Sequence, residues 1–220
     1  MAEVNLLSLG DLHGSIRWTA PLEDAASSAD AILVCGDLTQ FGTPEDAEAL
    51  LDQMSRYCDT LLAVAGNCDS RAIEEHLREL GVSIHGRGRM LAGGVGVCGV
   101  SGSNATPFDT PLEYSDEELA RALARGWEEI REAEVRIVLS HAPPRDTACD
   151  RTRDGDHVGV EGLREFILRE QPDLVVCGHI HEARGRDDLG GTPLVNGGMA
   201  KEGRGVRIRV SGGSVEAEPV

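Results

Sequence analysis

The sequence has few aromatic and few positively charged side chains. Phenylalanine, tryptophan and tyrosine make up 3 % of its 220 residues, which leaves little of the stacking surface that holds single-stranded nucleic acids. The chain has 21 Lys+Arg residues and 38 Asp+Glu residues, which gives a formal net charge of -17. Lys201 is the only lysine. Because such a surface repels phosphate backbones, we expect no binding to long nucleic acids or anionic membranes.

Paired cysteines and long apolar runs are also missing. The six cysteines form no CxxC pair, and the chain does not begin with a basic segment followed by an apolar run. Reduced cysteines are typical of the cytoplasm, where we therefore expect the protein. The longest apolar stretches fall well short of the roughly 18 residues that suggest a membrane-spanning helix, so we expect no membrane contact.

The length and the pattern of the chain favour a single α/β domain over residues 1–220. No linker, internal repeat or low-complexity tract divides the sequence. Short β-like runs alternate with amphipathic helical stretches through roughly the first eighty residues, which is typical of βαβ units and a largely parallel sheet. The glycine pair at 93–94 between apolar runs predicts a hairpin, at which we expect a second sheet to begin.

Strands and helices are predicted along the whole chain. Helices are expected to begin after Thr43, after Asp69 or Ser70, and after Ser115, with a further helix at 162–169. The loops 101–111 and 141–159 are long, and loops of this length in a compact domain are often functional. Strands are expected at 4–9, 31–35, 61–65, 90–91, 95–100, 135–139, 174–177, 193–196, 205–210 and 214–217.

Five of the predicted strands are followed by a potential metal ligand. Because the carboxyl ends of parallel strands lie on one edge of a sheet, where open α/β folds bind ligands, we expect these side chains to converge. His13 and His181 each follow another ligand by two residues, so each pair can share one site. The strand ends are Gly10-Asp11, Gly36-Asp37, Gly66-Asn67, Gly178-His179 and, without glycine, Ser140-His141.

The chemistry of these ligands favours divalent cations. Carboxylate, imidazole and amide oxygen together suit first-row metals, and we expect Mn, with Fe, Zn, Ni or Co as alternatives. Seven ligands are more than one metal needs, so two ions about 3.5–4 Å apart that share a bridging aspartate fit the count better. The predicted ligands are Asp11, His13, Asp37, Asn67, His141, His179 and His181.

In their order and spacing, these residues resemble the calcineurin-like metallophosphoesterase superfamily. The resemblance implies a four-layer α/β/β/α sandwich of two mixed β-sheets flanked by helices. It also implies two metals bridged by Asp37, with a metal-bridging hydroxide as the nucleophile. The matching blocks are Gly-Asp-Leu-His at 10–13, Gly-Asp at 36–37, Gly-Asn-Cys-Asp at 66–69, His at 141 and Gly-His-Ile-His at 178–181. The implied ligand sets are Asp11, His13 and His181 for one metal and Asn67, His141 and His179 for the other.

One position departs from the commonest pattern of the superfamily. The third block usually carries a histidine that assists the leaving group, whereas this chain has Cys68. A thiol, with an ordinary pKa of about 8.5, is a poorer acid at neutral pH. Because a Gly-Asn-Cys-Asp block resembles a subset of small prokaryotic phosphodiesterases, we expect hydrolysis of small phosphodiesters. Asn67, Cys68 and Asp69 are the candidate catalytic residues.

Two alternatives to a phosphodiesterase remain open. One is a phosphatase for nucleotides, dinucleoside polyphosphates or phosphoproteins. The other is a non-catalytic scaffold, because the superfamily includes a retromer-type subunit that binds proteins. The complete ligand set argues against the scaffold, which has no chemical need for it. The sequence is compatible with a homodimer without indicating one.

A few residues outside the blocks are further candidates for the site or the surface. His157 lies in the long loop after His141 and is a candidate for the missing proton donor. Asn104 and Phe108, in the other long loop, are candidates for lining a substrate pocket. His85, which lies beside glycines, is expected on the solvated surface.

Overall fold

The computed structural model describes residues 3–220 and arranges them in two β-sheets that pack face to face, with helices on both outer faces. The predicted four-layer α/β/β/α sandwich is therefore confirmed. The strands are β1 (Val4–Leu9), β2 (Ala31–Cys35), β3 (Leu61–Val64), β4 (Gly88–Met90), β5 (Val95–Val100), β6 (Val135–Ser140), β7 (Leu174–Cys177), β8 (Gly185–Leu189), β9 (Thr192–Asn196), β10 (Val206–Ser211) and β11 (Ser214–Pro219). The helices are α1 (Ala20–Ser27), α2 (Pro44–Ser55), α3 (Arg71–Glu79), α4 (Asp116–Glu129) and α5 (Glu161–Glu170).

Both sheets are mixed. The first has the order β11-β10-β1-β2-β3, in which β1, β2 and β3 are parallel and β10 and β11 are antiparallel to their neighbours. The second has the order β4-β5-β6-β7-β9-β8, with β5, β6, β7 and β9 parallel. The five ligand-bearing strand ends are thus divided between two sheets, rather than lying along one parallel sheet.

The alternation of side chains along the strands explains the layers. In β1, Leu6 packs between the two sheets, while Leu7 packs on the opposite face beneath the helices. All of β2 is buried, as expected for a central strand covered on both faces. Helix α2 covers the first sheet with its buried residues Ala47, Leu50, Leu51 and Met54, whose spacing places them on one face of the helix.

Helix starts follow the predicted capping residues. The Thr43 side chain accepts a hydrogen bond from Asp46 N, and the Asp46 carboxylate accepts one from Thr43 N. Ser115 and Glu118 form the same reciprocal capping box at the start of α4. Ser70, rather than Asp69, caps α3, which leaves the Asp69 carboxylate for other contacts. Each cap contributes roughly 1 kcal/mol to helix stability.

Three features of the fold differ from the expectations. Helix α1 and strand β8 were not predicted; β8 has the charged sequence GRDDL and lies at a sheet edge, where alternate side chains remain exposed. His85 is not a solvated surface residue, because its ring stacks on Tyr114 at 5.2 Å between centroids and its Nδ1 accepts a hydrogen bond from Ser101 N.

Within residues 3–220, no helix combines the length and apolar character needed to cross a membrane.

Candidate metal centre

The loops that follow five parallel strands bring the predicted ligands together at one edge of the sandwich. Asp11, His13 and Asp37 each take part in two groups of potential ligands. The ligand atoms of Asp11, His13 and His181 all lie within 4.8 Å of one another, and so do those of Asp11, Asp37 and His141. A further group with the same limit contains His13, Asp37 and Cys68. Ends of both sheets therefore contribute to one cluster.

The backbone of this cluster adopts a conformation that non-glycine residues seldom use. Among the described residues, eight non-glycine residues have positive φ, and four of these are predicted ligands. Their φ angles are 51° for Asp11, 43° for His13, 50° for Asp37 and 67° for His179. Such conformations are disfavoured by roughly 1–3 kcal/mol each and concentrate at functional sites.

Glycines next to the ligands allow the strand ends to approach one another. A Cβ added at Gly66 would overlap the backbone N and the Oδ1 of Asp37, and one added at Gly178 would lie 2.8 Å from Asp11 Oδ2. Any side chain at Gly66 would therefore displace the Asp37 carboxylate. The glycines that precede the ligands in the sequence serve close packing as much as backbone freedom.

The first predicted ligand set consists of Asp11, His13 and His181. His13 Nε2 lies 3.2 Å from His181 Nε2, and His181 Nε2 lies 3.4 Å from Asp11 Oδ1. His13 Nδ1 is buried and has no hydrogen-bond partner among residues 3–220. Burial lowers the pKa of His13, whereas hydrogen bonding to Asp11 raises the pKa of His181. Burial alone would raise the pKa of Asp11, but the His181 hydrogen bond and the nearby histidine charges lower it.

The second set contains two acceptor atoms that face each other. His141 Nδ1 lies 2.9 Å from the Cys35 carbonyl oxygen, which can only accept, so Nδ1 donates and, in the neutral ring, Nε2 carries the lone pair. That Nε2 lies 2.9 Å from Asn67 Oδ1 and 3.5 Å from Asp37 Oδ1. In the neutral ring the two acceptors repel each other, and a proton on Nε2 or a metal cation beside them removes this repulsion. The donor set therefore fits a divalent cation.

Thr110 and Glu113, which were not predicted as site residues, determine the orientation of the Asn67 amide. Asn67 Nδ2 donates to Thr110 Oγ1 at 3.1 Å, and Thr110 Oγ1 donates to Glu113 Oε1 at 2.6 Å. Because the Thr110 hydroxyl donates its proton to Glu113, it can only accept a hydrogen bond from Asn67. The Asn67 amide nitrogen therefore points to Thr110, and its amide oxygen faces His141. No sequence motif marks this pair, since the contact joins two distant segments.

Burial shapes the charges of the remaining ligands. His179 lies edge-to-face with His141, with ring centroids 5.0 Å apart, and burial lowers its pKa to about 3, so it is neutral with a free lone pair. The backbone N of His179 donates to the Asp11 carboxylate at 3.2 Å. Burial raises the pKa of Asp37. The buried carboxylates of Asp11 and Asp37 place negative charge beside the neutral His179 ring, and a cation would balance it.

The other two candidate catalytic residues have different surroundings. Cys68 lies beside the ligands, and its backbone N donates to Asp37 Oδ1 at 2.9 Å. Asp69 is fully buried and accepts hydrogen bonds from Leu38 N, Thr39 N and Gly66 N. Burial beside Asp37 raises its pKa to about 6. The contacts of Asp69 tie two ligand-bearing loops together, so its position supports an orienting role.

A cavity of about 440 Å³ opens over the ligands. The predicted pocket residue Phe108 lines it, whereas Asn104 instead donates to Val158 O at 3.2 Å and connects the two long loops. Lys201, the only lysine of the chain, also lines the cavity. Its remaining lining residues are His13, Asp37, Gln40, Phe41, Asn67, Cys68, Thr110, His179, His181 and Met199.

The loop 141–159 is held by a buried acid rather than directed at the cavity. His157 Nδ1 contacts Asp150 Oδ1 at 2.6 Å, and Asp150 also accepts from Thr147 N and Gly159 N. His157 is not among the residues that line the cavity. These contacts give His157 a structural role in the loop and do not bring it to the ligands as a proton donor.

Asn196, also absent from the predicted site, supports the loop that carries His179 and His181. Its Nδ2 donates to Ile180 O at 2.9 Å and to Gly178 O at 3.3 Å, while its Oδ1 accepts from Gly198 N. A related signal was present, because β9 is an apolar run that ends in a polar residue beside glycine, although here Asn196 precedes Gly197 and Gly198 instead of following a glycine.

Comparisons with known proteins identify the family and the fold. The sequence profile described as calcineurin-like phosphoesterase matches residues 4–183. An uncharacterized protein of Methanocaldococcus jannaschii is 33% identical over 197 residues, which span 88% of this chain and 87% of that protein. A UPF0046 protein of Caenorhabditis elegans is 25% identical over 196 residues, 82% of this chain and 66% of that protein. The crystal structure of TT1561 of Thermus thermophilus superposes with a TM-score of 0.72 at 22% identity, covering 99% of both chains.

Proposed function

Because the chain belongs to the calcineurin-like phosphoesterase family, we propose that it is a dinuclear metal-dependent phosphoesterase that hydrolyses small phosphodiesters. Family membership and the clustered ligands support the coarser statement that the protein binds divalent metal and hydrolyses phosphoric esters. The count of two ions, the choice of Mn and the preference for diesters are our inferences from the ligand chemistry and from Cys68.

The facing acceptors, His141 Nε2 and Asn67 Oδ1 at 2.9 Å, are the observation that carries the proposal. In the neutral form of His141 both atoms are acceptors, and positive charge beside them, from a proton on Nε2 or from a bound cation, stabilises the arrangement. When bound, a pair of divalent cations supplies the charge that makes hydroxide available near neutral pH and offsets negative charge on the phosphoryl oxygens.

We assign the ligands to two positions that share Asp37. The neutral state of the buried His13 and His179 leaves their nitrogen lone pairs free to bind a cation. Three residues orient the ligands: Thr110 turns the Asn67 amide, Asp69 joins two ligand loops, and Asn196 supports a third. One position would take Asp11, His13 and His181, and the other Asn67, His141 and His179.

Cys68 supports a preference for good leaving groups. Burial, reinforced by the negative charge of Asp37, raises the pKa of the Cys68 thiol well above its ordinary value, so Sγ keeps its proton at neutral pH. Such a thiol is a weak acid, so substrates whose leaving group needs little protonation are favoured. Activated diesters meet this requirement better than alkyl monoesters.

Substitutions at Cys68 test this part of the proposal. Cys68→His is expected to extend hydrolysis to poorer leaving groups, and Cys68→Ala to reduce activity on all substrates. Cys68→Ser provides a control of similar size. The leaving-group dependence of kcat/KM across a series of substituted aryl diesters is the measurement. An unchanged slope in Cys68→His, with full activity in Cys68→Ala, would remove Cys68 from the chemistry.

The surroundings of the site support a small substrate in a reducing compartment. The cavity of about 440 Å³ suits a small molecule, and the net charge of -17 opposes binding of long nucleic acids. All six cysteines are buried and none forms a disulfide, which supports our inference of a cytoplasmic location.

Hydrolysis by metal-stripped protein is the experiment that tests the proposed activity. Bis(p-nitrophenyl) phosphate and p-nitrophenyl phosphate are compared with and without added Mn, together with Asp37→Ala and, as a control at the protein surface, Asp52→Ala. We expect Mn-dependent cleavage with higher kcat/KM for the diester, lost in Asp37→Ala and retained in Asp52→Ala. Higher kcat/KM for the monoester would favour a phosphatase, and activity independent of metal would contradict the proposal.

A further inference from the structure

We propose that Phe41 and Phe108 form an aromatic clamp and that the substrate carries a planar ring, as a nucleotide-type phosphoester does. This inference rests on the proposed function of the same cavity and names the class of substrate that the cavity takes. It is carried by the exposure of the two rings, by the way the backbone holds them, and by the charge of the residue beside them.

The two phenylalanines differ from the other aromatic residues in their exposure. The chain has three phenylalanines, two tryptophans and two tyrosines. Phe41 is 60 % exposed and Phe108 is 82 % exposed, whereas Phe166 is buried against Trp127, and Trp18 packs on Tyr57. An acidic protein with few aromatic residues therefore presents two of them to solvent, both at the mouth of the candidate metal centre.

The backbone holds both rings at the cavity. Phe41 has a φ of 58°, which is unfavourable for a bulky residue, and its N donates to Cys68 O at 3.3 Å. Phe108 N donates to Thr106 Oγ1 at 3.2 Å, in the loop that Glu113 ties together. The rings are therefore presented by loops anchored to the ligand-bearing segments, and a strained exposed phenylalanine indicates a contact made with something outside the chain.

A nucleotide-type ester matches the features of this cavity. Every nucleobase offers a flat π-face that stacks on aromatic side chains with little dependence on its identity. Lys201 places a positive charge in the same cavity, where it meets the anionic part of the ligand. Because the rings line a concave cavity of about 440 Å³ rather than a flat surface, a small ring-bearing molecule fits them better than a protein partner does.

Direct binding of two matched probes tests the clamp without depending on catalysis. Adenosine 5′-monophosphate and ribose 5-phosphate share the phosphate and the sugar and differ only in the base. Isothermal titration calorimetry with the Mn-loaded protein should give a Kd for adenosine 5′-monophosphate about tenfold or more below that for ribose 5-phosphate, since one stacked base has roughly this effect.

Variants assign this difference to the two rings. Phe108→Ala and Phe41→Ala should each weaken binding of adenosine 5′-monophosphate about tenfold and leave that of ribose 5-phosphate unchanged, while Phe108→Trp should retain the preference. Leu168→Ala, which removes an exposed apolar side chain on α5 outside the cavity, is the matched control and should change neither Kd. Thermal melting of each variant verifies that it is folded.

The outcomes separate this inference from the proposed function. Equal affinity for the two probes, failure of both to bind, or a preference that survives in both alanine variants would overturn the clamp, even if the protein hydrolyses bis(p-nitrophenyl) phosphate. A base-dependent preference that is lost in the variants would support the clamp, even if the protein hydrolyses neither aryl substrate, and only the proposed function would then fail.

Discussion

Thr110 offers a specific test of how the metal centre is organised, because its hydroxyl is the only described hydrogen-bond partner of the Asn67 amide nitrogen. Thr110→Val keeps the shape of the side chain and removes the hydroxyl. The Asn67 amide is then free to rotate, and its nitrogen can turn toward His141. A cation at this position would lose an oxygen ligand for part of the time.

The size of the effect follows from the contacts removed. An unpaired, partly buried amide donor costs about 1–3 kcal/mol, and residues that orient a metal ligand typically change metal affinity or activity 10–100-fold. The two estimates agree, since a factor of ten corresponds to about 1.4 kcal/mol. We therefore expect Thr110→Val to weaken Mn binding and lower kcat/KM by about 10–100-fold.

Two variants separate this orienting role from general damage to the loop. Thr110→Ser keeps the hydroxyl and should stay within about threefold of the wild type. Thr106 donates to the same Glu113 oxygen at 2.6 Å but forms no described hydrogen bond with Asn67, so Thr106→Val should leave the affinity for Mn within this range. The assays are Mn titration by calorimetry and hydrolysis of bis(p-nitrophenyl) phosphate. Equal effects of Thr110→Val and Thr106→Val would show that the hydroxyl of Thr110 does not orient Asn67.

Two further predictions concern packing and pH. Gly66→Ala should lower kcat at least about 100-fold, because the added Cβ displaces Asp37. Gly185→Ala is the control and should retain activity, because a Cβ added there has no described atom within 4 Å. A fully active Gly66→Ala variant would show that activity does not depend on the observed position of Asp37. Burial alone would raise the pKa of Glu113, but hydrogen bonds from neighbouring threonines lower it to about 2. Because this lies below the unfolded value of about 4.3, ionised Glu113 stabilises the fold above that pH and loses this effect as the pH falls toward 2. Urea unfolding should therefore show a stability deficit of Glu113→Gln at neutral pH that shrinks over this range, and a deficit independent of pH would contradict the assignment.

Local patterns in the sequence predicted most of the strands and the side chains that cluster at the strand ends. A strand, a glycine and a ligand such as Gly36-Asp37 are adjacent in the chain, so their arrangement depends on short-range geometry that the sequence displays directly. The capping boxes at Thr43 and Ser115 are local in the same way, and both are present in the structure.

Contacts between segments that are distant in the chain could not be predicted from the sequence. The division of the strand ends between two sheets depends on pairings such as β1 with β10, which lie about 200 residues apart in the chain. The contact of Thr110 with Asn67 likewise crosses 43 residues. The exposure of the Phe41 side chain could not be predicted either, because an isolated phenylalanine in a sequence is more often a core residue than a surface one.

The decisive experiment for a dinuclear hydrolytic centre is titration of metal-stripped protein with Mn, while hydrolysis of bis(p-nitrophenyl) phosphate is followed in parallel. We predict two ions bound per chain, with activity that rises as the second site fills and is absent in Asp37→Ala. Binding of two ions without hydrolysis of any phosphoester, with Mn or another first-row divalent metal, would contradict the proposed function and favour a non-catalytic role for the fold.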